Sequence, residues 1–259
     1  SRRRHTRCSR DWSSDVCSSD LKFYFYCLTG PICLLLYFLD GGSLLFAFVW
    51  FWIFLIMARI AGMGYHRWLA HRSIEPGPIA KFVLLYFMVI SSAAKPLNYV
   101  VAHRTHHKYS DTDKDPHPPS NGLFNNLLGR FNPIELSIPL RDVYRMNEVM
   151  FVNKYYWHFH IVNLIIVMIL FPKIFLLSFA LLNLSDIIIS TIFNYVAHLG
   201  NTPRNLHWVT NFTFFPGEYL HLNHHNDPSN PNYGGDKWYN FDILYHTTKY
   251  FFPARIQNG

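Results

Sequence analysis

The sequence predicts an all-α membrane protein, in which four transmembrane helices form two hairpins and a helical cytoplasmic cap carries a histidine-rich dimetal site. Half of the 259 residues are hydrophobic, only 15% are charged, and 15 are histidines. An average globular chain has about 25% charged residues, so this composition disfavours a soluble protein. It also excludes a disordered tail, a collagen-like fibre and a disulfide scaffold. Long apolar segments and clustered histidines then specify the fold class.

The first 21 residues differ from everything that follows. They have no apolar periodicity, and their tail, Arg10 to Leu21, resembles an in-frame translation of a common sequencing adapter that ends in DVCSSDL. We therefore expect residues 1–21 to be an artefact and residues 22–259 to form a single domain. That domain has 18 basic and 13 acidic residues, a net charge of +5. Such a charge suits an anionic membrane surface. Nucleic acid is not an expected partner, because the basic residues form no dense patch.

Four apolar segments approach the roughly 20 residues that a membrane crossing requires. Asp40–Ser43 joins the first pair and Pro172-Lys173 the second, and connections this short indicate helical hairpins. Lys and Arg concentrate outside the segments and away from the hairpin tips, so the positive-inside rule puts 64–154 and 194–259 in the cytoplasm. A fifth apolar stretch, Ile79–Ile90, is short and is expected to be interfacial or buried. The four predicted spans cover about 23–39, 44–63, 155–171 and 174–193.

The histidines form three clusters with the spacing of metal ligands. Two clusters read HxxHH, and because residues three and four apart share a helix face, each can direct three imidazoles into one volume. The first cluster has a five-residue step that separates its two rings by about 140° on an ideal helix. Its rings converge only if the helix frays or if they flank the metals from different sides. The clusters contain His66 and His71; His103, His106 and His107; and His221, His224 and His225.

Eight clustered histidines are too many for one tetrahedral zinc site and suit two metals with four to five nitrogens each. Imidazole binds Zn, Cu, Fe and Ni, but iron gives such a site an obvious use, the activation of O₂. His198, at the end of the last apolar segment, and Asn194, one turn before it, are further candidate ligands. All clusters must meet on one side of the membrane, which also argues against Ile79–Ile90 as a full span.

The motifs HRWLAHR, HRTHHKYSDTDKDPH and GEYLHLNHH, with NYVAH before the third, resemble those of the membrane fatty-acid desaturases. The five-residue step of the first motif is similar to the Δ9-type branch, which includes stearoyl-CoA and acyl-lipid C9 desaturases. The resemblance covers about residues 44–245. It implies two irons held by nine histidines, and an asparagine that reaches one iron through water. One iron takes His66, His71, His103, His107 and His224, the other takes His106, His198, His221 and His225, and the asparagine is Asn194.

The resemblance implies an O₂-dependent desaturase that uses the di-iron centre to introduce a cis double bond, near C9, into a CoA- or lipid-linked acyl chain. No cytochrome b5 segment or flavin fingerprint is visible, so we expect a separate electron carrier such as cytochrome b5, ferredoxin or rubredoxin. In the animal acyl-CoA enzymes an Arg-Asp pair before the second motif helps to bind coenzyme A. Here Val101 and Ala102 occupy those positions, which keeps an acyl-lipid substrate open.

Several residues outside the clusters are candidates for supporting roles. Glu218 is expected to orient a ligand imidazole, and His117 to hydrogen-bond the loop of the second motif. Asp186, inside an apolar segment, is expected to make a hydrogen bond between helices. The remaining histidines are expected to be structural or interfacial, and four basic residues could meet an anionic head group. These histidines are His158, His160, His207 and His246, and the basic residues are Arg130, Arg141, Arg145 and Lys154.

Two further groups of side chains have simple expected roles. Arginines beside the ligands are expected to pair with nearby acids, and aromatic residues near the span ends are expected to form an interfacial belt. The arginines are Arg67, Arg72 and Arg104, and the acids are Asp111, Asp113, Asp115 and Asp227. The aromatic residues are Tyr65, Trp68, Tyr155, Tyr156 and Trp157.

Other functions remain open from the sequence. A hydroxylase or monooxygenase on the same scaffold would insert oxygen, but its relatives more often have HxxxH as the first motif. Front-end desaturases usually begin the third motif with glutamine, whereas this chain has His221. A non-enzymatic membrane metal-binding protein would explain the histidines, but it would not need nine in this order. Product analysis separates the enzymes, and metal transport without O₂ consumption would support the last alternative.

Overall fold

The computed structural model describes residues 19–91, 94–127, 131–134, 138–185, 193–207, 217–235 and 237–253. Their regular secondary structure is helical, so the predicted all-helical fold is confirmed. The α-helices are α1 (Ser19–Leu39), α2 (Leu44–Gly62), α3 (Pro78–Ile90), α4 (Pro96–Tyr109), α5 (Leu123–Leu127), α6 (Arg141–Tyr144), α7 (Asn147–Leu170), α8 (Pro172–Ser185), α9 (Asn194–Ala197), α10 (His221–Asn226) and α11 (Ile243–Thr248). A π-helical segment, Met63–Ala70, continues α2, and a 3-10 turn covers Pro119–Asn121.

Helices α1, α2 and α7 correspond to the first three apolar segments, and α8 lies in the first part of the fourth. Residues 186–192 of that fourth segment lie outside the described residues. Within the described residues, one helix is long and apolar enough to cross a membrane: Leu44–Ala70, which combines α2 with the π-helical segment. Helix α7 begins eight residues before the predicted Tyr155, and this extension contains Glu148 and Lys154. Four membrane crossings therefore stay a prediction.

The long helices pack into a bundle in which α8 contacts α1, α2 and α7, while α3 packs between α2 and α7. Helix α3 also contacts the π-helical segment. This approach requires a small residue: a Cβ atom on Gly64 would lie 2.6 Å from Sδ of Met88. The apolar core beneath the histidines includes Trp68, Leu84, Met88, Val100 and Val149. Helix α4, which follows α3 in the chain, also contacts the π-helical segment.

The predicted aromatic belt is wrong for three of its five members. Tyr65, Trp68 and Tyr156 are buried inside the protein. The Tyr65 hydroxyl donates to the carbonyl of Met88 at 2.9 Å and lies 3.3 Å from the Tyr156 hydroxyl. These side chains fill the core between the π-helical segment, α3 and α7, where a lipid head group has no access. Tyr155 and Trp157 are half-buried.

The π-helical segment changes the direction of the first histidine motif. The amide of His71 donates to the carbonyl of His66 at 3.0 Å, a five-residue step that replaces the four-residue step of an α-helix. The Arg104 side chain closes the end of the segment, because its Nε and Nη2 atoms donate to the carbonyls of Ala70 (2.8 Å) and Leu69 (3.0 Å). These are carbonyls that a helix end leaves without helical partners.

Candidate metal centre

The nine histidines that the sequence singles out lie in two groups. Within each group, the nitrogen atoms that could bind a metal are all within 4.8 Å of one another. The groups have the membership that the resemblance assigns to the two irons; the binding of iron stays a prediction. Group one contains His66, His71, His103, His107 and His224, and group two contains His106, His198, His221 and His225.

Group one is assembled by three elements: the π-helical segment, α4 and α10. The Nε2 atom of His71 lies 2.7 Å from Nε2 of His103. The Nε2 atom of His224 lies 3.1 Å from that of His66 and 2.9 Å from that of His107. The five Nε2-bearing edges therefore converge on one small volume.

Group two lies beside group one. The Nε2 atom of His221 is 2.7 Å from Nε2 of His198 and 3.1 Å from Nε2 of His225. The rings of His107 and His225 stack across the boundary between the groups, with centroids 4.2 Å apart. Consecutive residues on a helix point about 100° apart. The pair His106-His107 on α4 therefore supplies one ring to each of the two groups, and so does the pair His224-His225 on α10.

Two buried or half-buried carboxylates orient the rings of group two. The Nδ1 atom of His198 lies 3.1 Å from both carboxylate oxygens of Asp111. The Nδ1 atom of His106 lies 2.9 Å from Oδ2 of Asp115, and that oxygen also accepts from the amide of Asp111. A carboxylate at Nδ1 holds the proton on that nitrogen, which leaves the Nε2 lone pair free for a metal. This arrangement fits a cation at the centre of the group.

Two residues next to the motifs have a left-handed backbone conformation. Arg72, directly after His71, has φ 56°, and Asp111 has φ 62°. Aspartate tolerates this region better than arginine does, and such conformations persist where the surrounding structure holds them. Arg72 is held by an ion pair with Glu75 at 2.9 Å. Both conformations lie where the chain turns away from the metal groups.

Burial and neighbouring imidazoles keep most of these rings neutral. Desolvation, followed by repulsion from nearby histidines, holds the pKa of five rings well below 6.5; these rings are His71, His103, His106, His221 and His224. The same causes lower the pKa of His225 to about 3. At neutral pH these six rings therefore present unprotonated nitrogens, the form in which histidine binds metals.

Glu218 lies beside His66, with 3.4 Å between its Oε2 atom and Nδ1 of the ring. Burial alone raises the pKa of Glu218, but His66 and the guanidinium groups of Arg67 and Arg59 lower it to about 2. The ionised carboxylate is thus available to His66 at neutral pH. This contact is of the kind expected for Glu218, whose role toward a bound metal stays a prediction.

The acids expected to pair with the three arginines are the wrong ones. Arg67 pairs with the buried Asp242 at 2.9 Å, and Arg104 pairs with Asp142 at 2.7 Å. The acids of the second motif, Asp111 and Asp115, are occupied by histidines. Sequence distance explains the error, because Asp242 comes from the far end of the chain and Asp142 from α6, outside the histidine motifs.

The other singled-out residues have varied positions. The His117 ring lies 4.6 Å from the His106 ring, and its amide donates to Oδ1 of Asp115 at 3.0 Å. Asn194 is half-buried on α9, one turn before His198. His160 contacts the carbonyl of Val89, and His246 stacks on Phe241. Arg141, Arg145 and Lys154 are exposed. Residues 1–18, Arg130 and Asp186 lie outside the described residues.

Sequence reasoning missed two residues of this centre, Tyr233 and Asp242. Tyr233 is buried, and its hydroxyl lies 3.3 Å from Nδ1 of His66. Asp242 accepts from the amides of Tyr233 and Tyr245 in addition to pairing with Arg67. Neither residue lies within a histidine motif, so spacing offered no signal for them.

Comparison with known proteins agrees with the geometry. This chain is 27% identical to Delta-9 acyl-lipid desaturase 2 of Arabidopsis thaliana over 232 aligned residues. The alignment covers 80% of this chain and 73% of the relative. Delta-9 acyl-lipid desaturase 1 of the same plant is 26% identical over 90% of this chain and 78% of its own length. The sn-1 stearoyl-lipid 9-desaturase of Synechocystis sp. is 28% identical over 73% of this chain and 63% of its own length. Residues 44–255 match the family model described as fatty acid desaturase. The resemblance to Δ9-type desaturases is thereby confirmed, and the chain belongs to the fatty acid desaturase family of oxidoreductases.

Proposed function

We propose that the chain is an O₂-dependent desaturase that introduces a cis double bond near C9 of a lipid-linked acyl chain. The observation that carries this proposal is the pair of histidine groups, which contain five and four buried or half-buried residues with converging nitrogens. The names of the relatives support the acyl-lipid substrate class and the C9 position. Electrons come from a separate carrier, of which cytochrome b5, ferredoxin and rubredoxin are the candidates.

Each histidine group would hold one iron, and Asn194 would reach the iron of group two through water. The irons, when bound, supply the O₂-derived oxidant that removes hydrogen from an unactivated methylene, which no side chain can do. The protein residues hold the ligands in place: Asp111 and Asp115 fix the tautomers of two rings in group two, and Glu218 supports His66. Burial of the rings keeps them neutral and limits the access of bulk water.

The segment before the second motif supports a lipid-linked substrate over coenzyme A. The Val101 side chain is buried, and Ala102 is a small apolar residue, so neither can pair with a phosphate or an adenine ring. The exposed basic residues Arg141, Arg145 and Lys154 suit any anionic head group and do not discriminate.

We also propose a multi-pass membrane protein with the metal centre on the cytoplasmic side. Helix α2 supports insertion in lipid, because many of its large apolar side chains are exposed although the helix belongs to a packed bundle. Leu45 and Ile56 are 72% and 62% exposed, and on α7 Ile169 is 68% exposed. Exposed apolar surface on several neighbouring helices is rare in soluble monomers and typical of membrane contacts.

Expression of residues 22–259 behind a start codon in a desaturase-deficient yeast tests the function. Total lipids are converted to methyl esters and analysed by gas chromatography-mass spectrometry. We expect a new cis-monoene with its double bond near C9, absent from His106→Ala and retained by His246→Ala, a histidine outside both groups. Hydroxylated chains in place of the monoene would favour a monooxygenase. Failure of the well-expressed protein to form any product, also with ferredoxin and acyl-lipid supplied to membranes in vitro, would contradict the proposal.

A further inference from the structure

Tyr233 contacts two histidines of group one at the same time. Its hydroxyl lies 3.3 Å from Nδ1 of His66, and its ring centroid lies 4.6 Å from that of His224. Only 2% of the side chain is exposed. His66 belongs to the π-helical segment and His224 to α10, so one phenol bridges two of the three elements that build the group.

The Tyr233 side chain is held from several directions. The Arg67 guanidinium carbon lies 4.0 Å from the centre of the tyrosine ring, a distance typical of a cation–π contact. The same guanidinium pairs with Asp242, whose Oδ2 accepts from the Tyr233 amide at 3.1 Å. Asn223, between His221 and His224, donates its side-chain amide to the Tyr233 carbonyl at 2.9 Å. The backbone and the ring are therefore fixed relative to α10.

Tyr233 also lines an open cavity of about 260 Å³. Asn226, Asp227, Asn230 and Lys237 are among the other residues that line this cavity. Tyr233 therefore contacts both this cavity and the rings of group one.

We propose that Tyr233 is a positioning residue for the metal of group one. Its hydroxyl shares Nδ1 of His66 with Glu218, which fixes the plane of that ring and directs its Nε2 lone pair toward the group. Its ring supports His224. Partners of this kind change metal affinity by about 10–100-fold when they are removed from known sites. The inference rests on the proposed di-iron function and adds a residue that the histidine motifs do not contain.

The test compares Tyr233→Phe and Tyr233→Leu with wild type after loading with ⁵⁷Fe. Tyr219→Phe is the matched control, because Tyr219 is also buried and its hydroxyl contacts the carbonyl of Phe241 and lies outside both groups. Mössbauer spectra report the ligand field of each iron, and iron transfer to a chelator reports its retention. Circular dichroism and Tm verify that each variant is folded.

We expect Tyr233→Phe to change the spectrum of one of the two irons and to speed the loss of that iron about tenfold. Tyr233→Leu, which also removes the ring, should lose it faster still, and Tyr219→Phe should match wild type. If the wild type binds two irons and Tyr233→Phe has the same spectrum and the same release rate, this inference is overturned. The proposed function is then unaffected. A wild type that binds no iron would overturn the proposed function and, with it, this inference.

Discussion

The rings of His66 and His71 lie with 4.8 Å between their centroids, although the two residues are five positions apart in the sequence. An α-helix would point the two rings about 140° apart. The π-helical segment Met63–Ala70 widens the turn, so a five-residue step brings both rings to the same side. This local departure from α-helical geometry brings both rings of the first motif into group one. π-helical turns occur frequently at functional sites.

The carboxylate of Asp111 should determine how tightly group two holds its metal. Asp111→Asn removes the charge that keeps the proton on Nδ1 of His198, 3.1 Å away. We expect metal affinity to fall about 10–100-fold, measured by competition with a chelator. Asp113→Asn is the matched control, because Asp113 is two residues away and exposed. Equal affinities in the two variants would show that the contact does not orient His198.

Gly217 should tolerate no side chain. It has φ 80°, and a Cβ atom would lie 2.3 Å from Oδ1 of Asp242. Gly217→Ala should disturb the Asp242–Arg67 pair and reduce both Tm and metal content. Gly122→Ala separates the backbone effect from the collision, because Gly122 has φ 81° but its Cβ would meet nothing within 4 Å. A positive φ alone costs alanine about 1–3 kcal/mol. Equal losses of stability in the two variants would mean that the structure around Gly217 relaxes and relieves the collision with Asp242.

The buried pair of Arg67 and Asp242 should be a major determinant of stability. Asp242→Asn leaves the buried guanidinium without its closest charge partner. We expect the free energy of unfolding to fall by about 3–5 kcal/mol, a decrease in Tm on the order of 10 °C. The comparison is Asp40→Asn, which breaks an exposed pair with Lys173 at 3.6 Å. Thermal unfolding in detergent measures both, and a small effect of Asp242→Asn would contradict the assignment.

The metal-free protein should lose stability on acidification. Group members such as His71 and His224 have a folded-state pKa well below 6.5, because burial and neighbouring rings disfavour protonation. Below pH 6.5 the unfolded chain binds more protons than the folded chain. The free energy of unfolding therefore decreases as the pH is lowered. For the metal-free protein we expect a lower Tm at pH 5.5 than at pH 7.5. The metal-loaded protein should release its metal over the same range, because protonated imidazoles do not bind metals. A Tm that rises on acidification would contradict neutral, buried rings.

The membership of the two groups follows in part from simple helix geometry. Adjacent histidines such as His106 and His107 point 100° apart, and residues four apart, such as His221 and His225, share a face. The helix-face rule alone predicted that the three imidazoles of each HxxHH motif share one volume. The structure instead divides each motif between the two groups, a division that only the family resemblance implied. Helix bounds were also predictable within the apolar segments, because long apolar runs favour helices strongly. The start of α7 was not, since polar and charged residues interrupt the apolar run there; these are Asn147, Glu148, Asn153 and Lys154.

Other features depend on contacts between distant parts of the chain. The pairing of Arg67 with Asp242 joins residues 175 positions apart, and no local pattern announces it. The π-helical turn at His71 depends on Arg104, which donates to the carbonyls at its end. The burial of Tyr65 and Tyr156 depends on how closely α3 approaches the π-helical segment. Motif spacing indicates which histidines come together, but it says little about the side chains that hold them in place.

The number of irons per chain tests the central claim most directly. The protein is purified after growth with added iron, and metals are quantified by plasma mass spectrometry against protein concentration from amino-acid analysis. Two buried groups of converging imidazoles predict two irons per chain in wild type and at most one in His106→Ala, with His246→Ala unchanged. A folded wild type that binds no iron, or that fills the groups with zinc and releases it without loss of desaturation, would contradict the account.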